Sequence, residues 1–209
     1  MNDFLIDPLK SLDSYNKLLS DIKNNTTPIS TYGVIDENLG HFSYALKQHT
    51  ARPILLITYD EIKGKRLYDD IINLGFSNVV LFPKREVLYY DVDAVSFERS
   101  IERLNIISRL VNNENLIVIC PISALLDKIP TPKMFKEYTF VFEYGKDVDL
   151  EIAISTFVSA GYERVPMVEG IGQFSIRGGI IDFFPPNSAN PYRIELFDTE
   201  VDSIRTFDL

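Results

Sequence analysis

The sequence predicts an α/β protein in two parts, a doubly wound layer over residues 1–130 and a small α+β domain over residues 131–209. Three features predict it. Apolar runs at 54–57, 79–82 and 116–120 alternate with segments of helical period, the pattern of parallel strands joined by crossover helices. Two prolines in Ile129-Pro130-Thr131-Pro132 then interrupt the chain. Beyond them strands dominate, with one short helical segment.

Residues 7–22 carry Leu9, Leu12, Leu18, Leu19 and Ile22 at roughly helical spacing, with Pro8 near the start and Asn24-Asn25-Thr26-Thr27-Pro28 as the stop. An amphipathic first helix is expected. A strand over 30–35 and a helix over 37–49 follow, then the strand Ile54-Leu55-Leu56-Ile57 and a helix reaching residue 74. Val79-Val80-Leu81-Phe82 is the next strand, 96–110 the next helix, and Leu116-Ile117-Val118-Ile119-Cys120 the last strand of the layer. Such apolar strands are expected to have helices over both faces. In the second part, 138–144 reads as a strand and 150–160 as a helix ended by Gly161. Residues 173–184 and 192–207 read as strands separated by the Pro185-Pro186-Asn187-Ser188 turn.

With 209 residues, 45% of them hydrophobic and 24% charged, the chain has enough apolar length for a packed core, which argues against a disordered class. No run approaches the roughly 18 uncharged apolar residues that cross a bilayer, and Asp3 and Asp7 stand where a signal peptide has a basic region. A cytoplasmic protein without a membrane partner is expected. The single cysteine, Cys120, lies in an apolar run and reads as a packed, unreactive thiol. A formal charge of −9 opposes a phosphate backbone, so direct nucleic-acid binding is not expected.

In a doubly wound domain the first strand-to-helix turn is where a phosphate binds, on backbone N–H groups and a helix N-terminus. Here that turn runs from Gly33 to His41. Counted from Gly33, the pattern G-x-x-x-x-G-K-[ST] requires Gly, Lys and Ser or Thr where the sequence has Asn38, Leu39 and Gly40. The lysine that would reach the phosphates is missing, and Asp36 and Glu37 repel a triphosphate while complementing a helix dipole. Residues Gly33, Asn38, Leu39 and Gly40 therefore read as a degenerate nucleotide loop, with no cofactor expected. His41 and His49 share a helix without ligands at metal spacing and read as solvent-facing or capping residues.

The most informative stretch is Gly172-Gln173-Phe174-Ser175-Ile176-Arg177-Gly178-Gly179-Ile180-Ile181-Asp182-Phe183-Phe184. Strand alternation puts Phe174 and Ile176 on one face and Gln173, Ser175 and Arg177 on the other, with Gly178-Gly179 marking a bulge or a close backbone approach. In the next strand Arg193, Glu195 and Phe197 share a face opposite Tyr192, Ile194 and Leu196. Arg177 and Arg193 beside an aromatic on a polar sheet face suit a protein-binding hot spot. Alternation equally allows Phe197 to twist inward beneath the Asp198-Thr199-Glu200 turn. Asp182 and Glu195 read as wet-face acids rather than a catalytic pair, and the sequence leaves open whether they brace the arginines or merely face water.

The run GQFSIRGGIIDFFPPNSANPYRIELFDTEVDSIRTFD resembles the signature of the UvrB-like module of the transcription-repair coupling factor (Mfd) family, shared in looser form with the excision-repair protein UvrB. RPILLITYDEIKGKRLYDDI and LFPKREVLYYDVDAVSFERSIERLNIISRL extend the likeness over nearly the whole chain. The resemblance implies a P-loop-NTPase-like, UvrB-like first domain with a degenerate ATP motif, continuing beyond residue 209. It also implies that the second domain docks UvrA through Arg177, Arg193 and Phe197. An aromatic DNA-clamping hairpin like that of UvrB is missing, since Tyr89-Tyr90 leads directly into the helix expected near Ser96. The resemblance further implies a longer parent protein with an ATP-dependent DNA translocase motor, in which the docking surface is masked by the rest of the chain until that motor engages. Beside this adaptor reading stand two alternatives, a UvrB-like nucleotide-binding enzyme with an unrecognised site and a structural spacer.

Overall fold

A computed structural model describes residues 3–85 and 98–209. The chain divides into two compact units, residues 1–128 and 129–209. Tyr89, Tyr90 and Ser96, on which the hairpin and helix-start expectations rest, lie outside the described residues.

The first unit opens with a short helix α1 (Asp3–Ile6), a 3-10 turn holding Pro8, and α2 (Asp13–Lys23). Pro8 belongs to the tighter turn, so the expected 7–22 helix is two pieces, and the regular one starts at Asp13. A second 3-10 turn (Asp36–Asn38) leads into α3 (Leu39–Thr50). Then come β1 (Ile54–Thr58), α4 (Glu61–Asn73), β2 (Val79–Leu81), α5 (Glu98–Val111) and β3 (Ile117–Pro121). Asp60 starts α4 by accepting the Lys63 N–H at 2.7 Å, an N-cap that satisfies an otherwise orphaned donor.

The three strands form a parallel sheet in the order β1-β3-β2. Ile54, Leu56, Val79, Leu81, Ile117 and Ile119 pack on Leu67 and Ile71 of α4. The opposite face is covered only in part. Val80 and Val118 are buried, whereas Leu55 and Ile57 stay 54% and 56% exposed, so the expectation of helices across both faces fails at β1 among the described residues.

The expected strand at 30–35 is also not there. Gly33 has φ +86°, which breaks an extended run, and no described strand pairs with the outer edge of β1. Tyr32 and Ile35 are exposed, so the large apolar side chains of this stretch face water rather than a sheet.

The second unit starts with α6 (Pro132–Glu137), capped by Thr131. The 138–144 strand does not form. Phe140 and Phe142 instead pack directly into the core, with Phe142 against Phe157 and Phe183, so alternation there reports burial without a strand ladder. Helix α7 (Leu150–Ser159) follows its Asp149 cap, then β4 (Glu163–Arg164), β5 (Gln173–Arg177), β6 (Ile180–Phe183), β7 (Tyr192–Phe197) and β8 (Glu200–Thr206). These five strands form one sheet in sequence order, antiparallel except for the β4-β5 pair. The two long strands expected at 173–184 and 192–207 are therefore hairpins, each folded at a two-residue turn. Its inner face buries Phe174, Ile181, Ile194 and Val201 against Ala153 and Phe157 of α7.

Candidate functional site

Turn geometry sets the register of the second sheet. Gly178 takes φ +61° between β5 and β6, and Asp198 takes φ +57° between β7 and β8; a positive φ is what such tight turns demand. At Gly179 the backbone of β7 comes close: the Leu196 N–H donates to the Gly179 carbonyl at 2.7 Å, and a Cβ on Gly179 would lie 2.8 Å from the Leu196 carbonyl oxygen. The close approach expected after Arg177 is thus a contact with β7, directly before Phe197.

This register pairs Ser175 with Asp182, Asp182 with Arg193, and Arg193 with Arg205. Arg177 sits one diagonal step from Asp182, within reach of a long side chain. The outer face thereby gathers Arg177, Asp182, Arg193, Glu195, Ser203 and Arg205.

Asp182 is not a wet-face acid, because only 2% of it is exposed. Its Oδ1 accepts Arg193 Nε–H at 2.6 Å, while Oδ2 accepts Nη2–H of Arg193 at 2.7 Å and of Arg177 at 2.8 Å. Burial pushes its carboxyl upward, but the hydrogen bonds and charges of Arg193, then Arg177, outweigh burial and hold it below the usual carboxylate range. The same bond raises the Arg193 guanidinium. Arg193 also stacks over the Phe207 ring, 5.0 Å from its centroid. Beside this cluster Glu195 accepts from Ser203 at 2.8 Å and pairs with Arg205.

Phe197 settles the choice that alternation left open, since it is 80% exposed. Leu196 packs on the core cluster, so alternation along β7 turns Phe197 outward, while the register shift that leaves Asp202 unpaired in β8 sets Val201 opposite Leu196. The structure thus places Arg177, Arg193 and Phe197 on one sheet face and gives both arginines a shared carboxylate.

The degenerate loop is built differently from a phosphate cradle. Asp36 reaches across to Lys63, 2.9 Å away. Leu39 packs on the α4 core cluster, and Gly40 is buried where an added Cβ would lie 2.8 Å from Asp70 Cβ. Gly40 therefore serves the α3-α4 contact. Gly33 and Asn38 line a cleft of about 890 Å³ whose other walls include Leu9, Leu18, Ile29 and Phe42, with Lys17 as its single lysine. His41 Nε2 lies 2.8 Å from the Leu5 carbonyl, and His49 Nδ1 lies 2.9 Å from the Tyr15 hydroxyl. Both histidines therefore tie α3 to the N-terminal helices, contrary to the solvent-facing expectation.

Sequence reasoning left open whether Asp182 braces the arginines, and it missed Phe207 as a partner of Arg193. The signal lay in Gly178-Gly179, because a two-residue turn alone sets Ser175 opposite Asp182.

Comparison with known proteins follows these boundaries. Residues 140–209 match the family model described as the UvrB interaction domain. The chain is 36% identical over 201 residues to the transcription-repair-coupling factor of Bacillus subtilis, covering 96% of this chain and 17% of that protein. It is 34% identical over 159 residues to that of Staphylococcus haemolyticus, covering 76% of this chain and 14% of the relative. The chain therefore spans less than a fifth of the length of these curated relatives. Over nearly its whole length the chain corresponds to an N-terminal region of the transcription-repair coupling factor family, with its residues 140–209 matching the UvrB interaction domain.

Proposed function

We propose that this chain is a non-catalytic docking module that recruits UvrA for transcription-coupled nucleotide excision repair. The observation that carries the reading is the exposed Phe197 on the same sheet face as the Arg177-Asp182-Arg193 cluster, all within the span of the UvrB interaction domain. An exposed aromatic next to organised guanidinium groups is the composition of a protein-binding hot spot, where single residues contribute about 2 kcal/mol or more. Arg177 and Arg193 pair with acids on the partner, and Phe197 is desolvated between them.

The first unit, residues 1–130 as a domain, is a degenerate UvrB-like layer of P-loop-NTPase ancestry, and residues 131–209 form the docking domain. Asp36 held on Lys63 and Gly40 committed to helix packing favour this over a nucleotide-binding enzyme. The charge of −9 supports a protein partner over nucleic acid. No described helix is long and apolar enough to cross a membrane, and a cytoplasmic site of action, with contacts to the rest of a longer parent chain, completes the reading.

Calorimetric titration of purified UvrA tests it. Saturable binding that weakens by roughly tenfold or more in folded Arg177→Ala, Arg193→Ala and Phe197→Ala variants is expected. A well-folded wild-type chain that does not bind UvrA overturns the proposal.

A further inference from the structure

Asp182 has an unusual position for an acid on an outer sheet face. It is 2% exposed, while the Arg177 and Arg193 side chains resting on it remain 51% and 28% exposed. A carboxylate so covered cannot touch a partner. Its effect must pass through the two guanidinium groups.

Those groups need such an anchor. Two cations on one face repel each other, and each long side chain has many rotamers to lose when a partner binds. Asp182 offsets one of the two charges and fixes both heads at 2.6–2.8 Å. Arg193 is gripped in a two-point, planar fashion through Nε and Nη2, and the Phe207 ring closes its other side. The bonds to Asp182 use two of the five N–H donors of Arg193 and one of those of Arg177, leaving Nη1 of both among the donors available to an incoming group.

We infer that Asp182 is the positioning residue of the docking face, holding Arg177 and Arg193 in the arrangement that a carboxylate-bearing protein surface recognises. The inference rests on the UvrA-docking reading. It adds that affinity depends on a residue the partner never contacts.

UvrA is titrated with the wild-type chain, Asp182→Asn, Arg177→Ala and the double variant, with folding checked by circular dichroism. Asp182→Asn keeps the side-chain size and removes the charge. It is expected to weaken binding by roughly tenfold or more, and to weaken it by a smaller factor once Arg177 is already alanine, since the two act as one unit. Nuclear magnetic resonance of the unbound wild-type chain supplies a second measurement that does not depend on any variant folding. The Arg193 Nε–H proton is expected to exchange slowly with water, as a proton locked on a buried carboxylate does.

Folded Asp182→Asn that binds UvrA as tightly as wild type overturns this inference alone. So does an Arg193 Nε–H that exchanges as fast as that of an exposed arginine. A wild-type chain that does not bind UvrA overturns the docking reading and the inference with it.

Discussion

Replacing Gly179 with alanine tests whether the proposed docking face is held by backbone contact between hairpins. The new Cβ would lie 2.8 Å from the Leu196 carbonyl oxygen, and that oxygen is main chain, so no flexible side chain can move aside. The same two residues share the 2.7 Å hydrogen bond from Leu196 N–H to the Gly179 carbonyl, which must lengthen as the strands part. Overpacking of this kind costs about 1–3 kcal/mol. Loss of backbone freedom in the unfolded chain returns about 0.4–1 kcal/mol. A net destabilisation of about 1–2 kcal/mol follows, and in a domain of this size each kcal/mol lowers the melting temperature by roughly 4–8 °C. The assay is thermal unfolding by circular dichroism with hydrogen exchange read over residues 173–197. Gly170→Ala is the control, since its Cβ would meet nothing closer than Gln173 Oε1 at 3.8 Å. A Gly179→Ala chain that melts with wild type and shows unchanged exchange refutes the reasoning.

In the first unit, Gly40→Ala forces a contact of 2.8 Å with Asp70 Cβ, and after a helix-propensity gain of about 1 kcal/mol it is expected to destabilise by about 1 kcal/mol in urea unfolding; in an Asp70→Gly background, which lacks that Cβ, the same change should no longer destabilise. Phe197→Ser, at a residue 80% exposed, is expected to leave stability within about 0.5 kcal/mol of wild type by the same measurement. Burial pushes the Tyr15 hydroxyl up to about 12 from 10.0. A raised pKa means that its contribution, about 2–3 kcal/mol, is intact below pH 10 and is lost as pH rises through about 12, which ultraviolet absorbance and unfolding followed together would show. Asp182, held below its ordinary 3.8, works in the opposite sense. Its contribution is present above pH 3.8 and disappears as pH falls through the depressed value, so carbon resonance titration should find it charged after ordinary carboxyls have protonated.

What the sequence revealed and what it concealed have physical reasons. The parallel strands were legible as continuous apolar runs between segments of helical period, and the faces of β5 and β7 because successive side chains along a strand point to opposite sides. The strand expected at 30–35 was misread because local composition does not reveal whether a sheet edge will accept a partner, and Gly33 at φ +86° breaks the run. At 138–144 the alternation was real but had another cause, since Phe140 and Phe142 enter the aromatic core as single side chains. Charges were hardest to place. Lys47 is 4% exposed, its ammonium donating to Arg52 and Leu116 carbonyls and to Asn115, yet in sequence it resembles any lysine on a helix. Asp182 deceived in the same way, because an acid between apolar strand residues looks solvated until its cross-strand partners are known.

That pairing also bears on which class of partner the face suits. A surface that grips a phosphate backbone gains affinity by leaving its cations uncompensated, so that each displaces a counterion. Here Asp182 compensates part of the charge of Arg177 and Arg193, and Glu195 does the same for Arg205, within a chain of net charge −9. Long-range attraction to a polyanion is therefore weak, while the remaining N–H donors keep their direction. Directional donors around an exposed phenylalanine reward a partner that supplies both a fitting carboxylate and an apolar pocket. Nucleic-acid backbone supplies neither, so within the proposed docking function the compensation of charge favours a protein partner.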